Sequence, residues 1–188
     1  MFAELHENAV AKRADFVPTV IRSGKEFTYF QYYESGTIDP NNGEQLKTVL
    51  SVLNKAQELV KPENGEVLVH GNLEGRVLML SNGGVAGLSG WQKCHYGNKY
   101  EDRAELLSNV DVYYFDEKYL TKYQEIFEVL SQGFDKDEQL TLIDKAIDIL
   151  NLKRKRLLKD DKDSMPRALR LKERCSKLEF FREVYLGK

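Results

Sequence analysis

Short β-rich runs fill much of the chain up to residue 115, and apolar residues repeat every three or four positions from Asp116 onward. Leu5, Ala9 and Val10 predict a short helix within 3–14, ended before Pro18. Thr19-Val20-Ile21-Arg22 and Glu26-Phe27-Thr28-Tyr29-Phe30-Gln31-Tyr32-Tyr33, joined through Ser23-Gly24, predict a β-hairpin. The second run puts Phe27, Tyr29 and Tyr33 on one face and Phe30 and Tyr32 on the other. Such a strand is either covered on both sides or exposes an aromatic face.

Leu46, Val49, Leu50, Leu53 and Val60 then follow helical spacing, with Asn42 as N-cap, Gln45 as its capping-box partner and Pro62 as the stop. Glu66–His70 and Arg76–Leu80 flank a glycine-bearing loop and predict a second hairpin. Val110–Phe115 predicts a fifth strand. Beyond it, Leu120, Tyr123, Phe127 and Leu130 predict a helix ended by Gly133. Asp135 with Glu138 opens a further helix, whose stripe runs Leu140, Ile143, Ile147, Leu150, Arg154. After the polar break Asp160–Asp163, Ser164 caps a last helix with Pro166 in its first turn. The expected class is α+β: a mixed or antiparallel sheet of about five strands with packed helices, followed by a C-terminal helical hairpin.

Charge divides the same chain. The 188 residues carry 28 basic and 30 acidic groups, a net of −2. Residues 1–150 hold 15 basic and 24 acidic side chains, and residues 151–188 hold 13 and 6. The small net charge is therefore a cancellation between −9 and +7. Two regions are expected on this basis: an acidic α+β body over 1–116, and a helical region over 117–188 ending in a basic hairpin. A composition of 41% hydrophobic and 11% aromatic residues excludes a disordered chain. No run approaches the ~18 apolar residues of a membrane span. The acidic start Met1-Phe2-Ala3-Glu4 lacks the order of a signal peptide. A soluble, intracellular (cytoplasmic) protein without a membrane partner is expected. Its two cysteines, Cys94 and Cys175, are expected as free thiols.

The basic charge is arranged in rows. In the last helix Ala168, Leu171, Cys175 and Leu178 form an apolar seam, and Arg167, Arg170, Arg174 and Lys177 repeat that spacing one residue earlier. One residue turns the helix by about 100°, so a basic stripe runs beside the seam. Lys153, Arg154, Lys155 and Arg156 end the preceding helix, and an antiparallel pairing could bring both sets to one side. Such a surface suits phosphates, with aromatic residues nearby to stack on bases. The plainer alternative is that the aliphatic stems of these residues cover the seam while their charges stay wet. A third is that the basic region docks on the acidic one, in the same chain or in a second copy.

Seven of the thirteen glycines fall between residues 71 and 97, densest over Ser81–Trp91. No Lys-Ser/Thr follows them, so the segment is not a phosphate-binding P-loop, and a turned loop anchored by Trp91 is expected. Cys94, His95, Glu101 and Asp102 cluster just after it. Cys94 and His95 are adjacent and point to opposite faces of an extended chain, which does not make a nucleophile and its base. His70 and His95 lack any recognised zinc spacing. No cofactor and no metal is expected.

The reading that follows is a non-enzymatic binding protein. It would engage nucleic acid, RNA included, or another polyanion through Lys153, Arg154, Lys155, Arg156, Arg167, Arg170, Arg174 and Lys177. The alternatives are two. One is a protein-interaction or self-assembling accessory protein, viral or phage proteins among them, built on the aromatic strand and complementary charge, with a protein partner or a homo-oligomer as the outcome. The other is a small hydrolase or nuclease with its site in the Gly83–Asp102 region.

Overall fold

Helix α1 (Gly43–Leu59) forms where its cap and spacing place it. The Gln45 N–H donates to the Asn42 side-chain oxygen across 3.1 Å, so an orphan amide of the first turn is satisfied. The Gln45 side chain reaches one turn further back than a capping box requires and accepts from the Asp39 N–H. Leu46, Val49, Leu50, Leu53 and Ala56 are buried along its inner face. The computed structural model describes residues 4–5, 7–8, 16–18, 20–23, 28–30, 32–60, 64–82, 84–111, 117–160 and 164–187. The chain divides into two compact units, Met1–Asp102 and Arg103–Lys188. That boundary falls earlier than the division expected at 116.

In the first unit the strands are β1 (Val20–Ser23), β2 (Thr28–Phe30), β3 (Glu34–Gly36), β4 (Val67–Val69), β5 (Leu78–Ser81), β6 (Gly84–Leu88) and β7 (His95–Gly97). They do not join into one sheet of about five strands. They pair as separate small antiparallel sheets, ordered β1-β2, β3-β5-β6 and β4-β7. The β1-β2 pairing is the one expected, and of its second strand the described part is Thr28–Phe30. The second expected hairpin does not form. Strand β4 pairs with β7, setting Leu68 opposite Tyr96, while β5 pairs with β3 and β6.

The glycine-dense segment is likewise no open loop. Its middle is strand β6, turned back on β5 so that Ser81 faces Gly84. Asn82 enters this turn at φ 50°, the left-handed conformation that a short hairpin turn requires. Trp91 opens a single 3₁₀ turn (Trp91–Lys93) behind β6, and it does anchor the segment, being buried with its Nε1–H donating to the Leu88 carbonyl at 2.7 Å. Helix α1 packs against β4 and β6, and the Gln57 side-chain amide donates to the Leu68 carbonyl at 3.0 Å.

Helix α2 (Glu101–Asn109) crosses the boundary between the units. The second unit continues with α3 (Glu117–Leu130), α4 (Lys136–Asp160) and α5 (Met165–Leu186). Gly133 stands at φ 83° just past α3. The Arg103 guanidinium donates to the Leu130 and Gln132 carbonyls and so closes the C-terminal end of α3. The capping box of α4 is complete: the Glu138 N–H donates to Asp135 at 2.9 Å and the Asp135 N–H to Glu138 at 3.0 Å. Ser164 holds the N-cap position of α5 without bonding its first turn. The expected fifth strand, Val110–Phe115, lies mostly outside the described residues, as does most of the helix expected within 3–14.

Helices α4 and α5 form an antiparallel hairpin. Arg182 donates to Asp144 at 3.3 Å and the Cys175 thiol lies 3.7 Å from the Asn151 side-chain oxygen. Both contacts belong to one register. Ala168, Cys175, Leu178 and Phe181 are buried in the seam, and Phe181 packs against the rings of Tyr123, Phe127 and Tyr185 at 4.8, 5.1 and 4.9 Å.

Candidate nucleic-acid interface

Continuing that register, Arg156 lies level with Arg170 and Lys159 with Arg167, near the end of the hairpin where α4 passes to α5. The run Lys153–Arg156 cannot all face one side, because four consecutive residues wind most of the way round a helix. Lys153 turns inward and its ammonium donates to the Asn109 side chain at 3.2 Å. Arg154 sits close enough to Cys175 to act on its thiol. Lys155 and Arg156 face solvent.

The α5 row keeps its order but not a uniform environment. Arg167 and Arg170 are exposed, and no carboxylate among the described residues pairs with either. Arg174, with its side chain 25% exposed, donates to Asp111 at 2.9 Å. Lys177, at 12%, pairs with Glu173 at 2.8 Å. Arg170, Arg174 and Lys177 line a shallow cleft of about 250 Å³, with Asp111 and Glu173 on its walls. The eight residues singled out in the sequence thus separate into an exposed set, Lys155, Arg156, Arg167 and Arg170, and a set drawn against polar partners, Lys153, Arg174 and Lys177, with Arg154 half-buried. Sequence spacing placed Arg174 in the row correctly. Its neutralisation by Asp111 has no local signature, because the two are far apart in the chain.

The other candidate cluster occupies the first unit. Asp102 is buried, and its carboxylate accepts from the His70 N–H at 2.8 Å and the Gly71 N–H at 3.0 Å. The His70 ring is fully buried against Trp91, with Nε2 2.8 Å from the Ser89 carbonyl. Because that partner can only accept, Nε2 carries the proton of the neutral ring. Burial lowers the His70 pKa to about 4, against the opposing effect of the Ser89 bond. His95 behaves in the opposite way. Its Nδ1 lies 3.1 Å from the Lys93 carbonyl and its Nε2 3.0 Å from Glu101, so both nitrogens face acceptors. The Lys93 carbonyl and then Glu101 raise its pKa above the usual value, partly offset by burial.

Burial pushes the Cys94 thiol up, the reverse of the shift that activates a nucleophilic cysteine. Among the described residues no group of three His, Cys, Asp or Glu side chains is placed to hold a metal ion. The two histidines serve different neighbours, and the carboxylate between them is committed to backbone amides. Among the described residues no helix is long and apolar enough to cross a membrane. Comparison with protein-family models, curated proteins and solved structures finds no match to this chain.

Proposed function

We propose that this protein binds nucleic acid or another polyanion through helix α5 and the adjoining end of α4, without catalysing a reaction on it. The observation that supports this most is the row Arg167, Arg170, Arg174, Lys177, whose first two members are exposed and carry no ion pair among the described residues. The row spans about 15 Å at the rise of an α-helix, close to the axial length of roughly four phosphates along one duplex strand. Lys155 and Arg156 extend it at the hairpin end.

The test is anisotropy of labelled single-stranded RNA and duplex DNA across a salt series. Four neutralised phosphates give a slope of log K on log salt of roughly −3 for the single strand. The double variant Arg167→Glu with Arg170→Glu should abolish binding at low salt. Unchanged binding by that variant rejects the reading.

A second reading is self-association. Met165, Leu169 and Val184 are exposed apolar residues that recur on one face of α5, and such a stripe favours a protein partner or a second copy. Sedimentation equilibrium decides it: a monomer at high concentration removes it.

A further inference from the structure

The outer face of α5, in the second unit, is open to solvent from one end of the helix to the other. Met165, Leu169, Phe180 and Val184 lie on it, each with between 44% and 56% of its surface in water. Lys172, Glu173 and Ser176, also exposed, separate the two apolar pairs. At about 100° per residue these positions fall within a sector of roughly 120°. That sector lies well round the helix from the buried seam of Ala168, Cys175 and Leu178.

Two properties of this face define what fits it. First, the apolar spacing reads the same in both directions: four residues from Met165 to Leu169, eleven to Phe180 and four to Val184. A palindromic pattern is matched by its own copy running the other way. About a two-fold axis midway between Arg174 and Cys175, Met165 falls level with Val184 of the second copy, and Leu169 with its Phe180. One patch then serves both subunits, as in the commonest closed assembly, the two-fold dimer. The same axis lays the i, i+4 row Met165, Leu169, Glu173 of one helix on the row Ser176, Phe180, Val184 of the other. Rows of that kind interdigitate when two helices cross at about −50°, the commonest packing class.

Second, the charges on the flanks of the face complement each other under that axis. Glu173 comes within one residue's rise, about 1.5 Å along the helix, of Lys177 of the second copy. Glu173 already holds Lys177 of its own chain at 2.8 Å, so the second copy extends that pair into an alternating cluster across the axis. On the opposite flank Lys172 comes within two residues' rise, about 3 Å, of Glu179 of the second copy. Lys172 and Lys177 of the second copy are level but stand on opposite flanks, which keeps the like charges apart. Complementary charge of this sort sets register and direction.

We infer that α5 is the contact helix of a two-fold symmetric homodimer, paired antiparallel through Met165, Leu169, Phe180 and Val184. The inference rests on the self-association reading and specifies its surface and direction.

The experiment is sedimentation equilibrium of the full chain, of Leu169→Lys, of Phe180→Glu, and of an equimolar mixture of these two variants. The wild-type chain should dimerise. Each variant alone should raise the dimer Kd about tenfold or more, as expected for a charge placed in an apolar contact. The mixture should recover most of that loss, because the new cation and the new carboxylate face each other at one of the two symmetric contacts. A wild-type chain that stays monomeric at high concentration overturns both the inference and the self-association reading. A wild-type dimer that neither variant weakens leaves self-association standing and overturns this surface. A mixture no tighter than its components overturns the antiparallel pairing. If either variant does not fold, the double variant Leu169→Cys with Phe180→Cys takes its place. Oxidation should then give a covalent dimer from the double variant and from neither single one, and no covalent dimer overturns the inference.

Discussion

The Arg174 guanidinium donates to the Asp111 carboxylate across 2.9 Å, and the pair is only partly open to solvent. One cation of the α5 row is therefore held by the protein's own acid before any external anion arrives. A polyanion that engages the row has to compete with Asp111. Asp111→Asn should consequently tighten RNA binding by about threefold to tenfold, as expected for removing a like charge beside a phosphate site. The gain should shrink as salt rises. Weaker binding by this variant would mean that Arg174 needs Asp111 for its position more than it loses by the pairing.

His70 makes the first unit sensitive to acid. Its folded pKa of about 4 lies below the unfolded 6.5. Full stability is therefore present above about pH 6.5 and is lost as pH falls towards 4, by about 3 kcal/mol when complete. His95 has the opposite sign: its raised value adds stability below pH 6.5 that disappears as pH rises through the folded pKa. That contribution is small, because a half-exposed pair is worth at most ~1 kcal/mol. Urea unfolding between pH 7 and 4 should show the acid loss, and His70→Gln should flatten it.

Asp102 is a structural acid. Asp102→Ala leaves the His70 and Gly71 amides without their acceptor and should cost about 3 kcal/mol. Asp102→Asn keeps one oxygen and should cost less. Urea midpoints of the two variants rank them, and equal loss would show that charge, not hydrogen bonding, sets the cost.

The capping box of α4 gives a local test in the second unit. Asp135→Ala removes the acceptor for the Glu138 N–H and should lower stability by about 1 kcal/mol. Thermal unfolding measures it, and Asp135→Ser should recover most of the loss.

Some of this was legible in the sequence and some was not, for reasons of range. Asn42, Asp135 and Gly133 announce helix ends because a cap acts within one turn. The α5 seam is readable because Ala168, Cys175 and Leu178 share a face by spacing alone. The β5-β6 turn has a local signal in Asn82-Gly83, the residue pair that favours a tight hairpin, although the glycine density of the segment suggests a loop. The pairing of β4 with β7 had no such signal. Val67–Val69 accepts any strand of matching length, and its partner β7 lies far along the chain.

The candidate interface divides along the same line. The sequence by itself determined α1, α3, α4 and α5, the caps of α1 and α4, the apolar seam and the basic row, since each depends on residues close together in the chain; it did not announce α2 (Glu101–Asn109). Only the tertiary structure decided that Asp111 neutralises Arg174 and that Lys153 turns inward to the Asn109 side-chain oxygen. It also decided that Asp102 holds backbone amides and that Trp91 packs against His70. Charge and ring contacts act over a few ångströms in space, and the chain distance between two residues does not limit them.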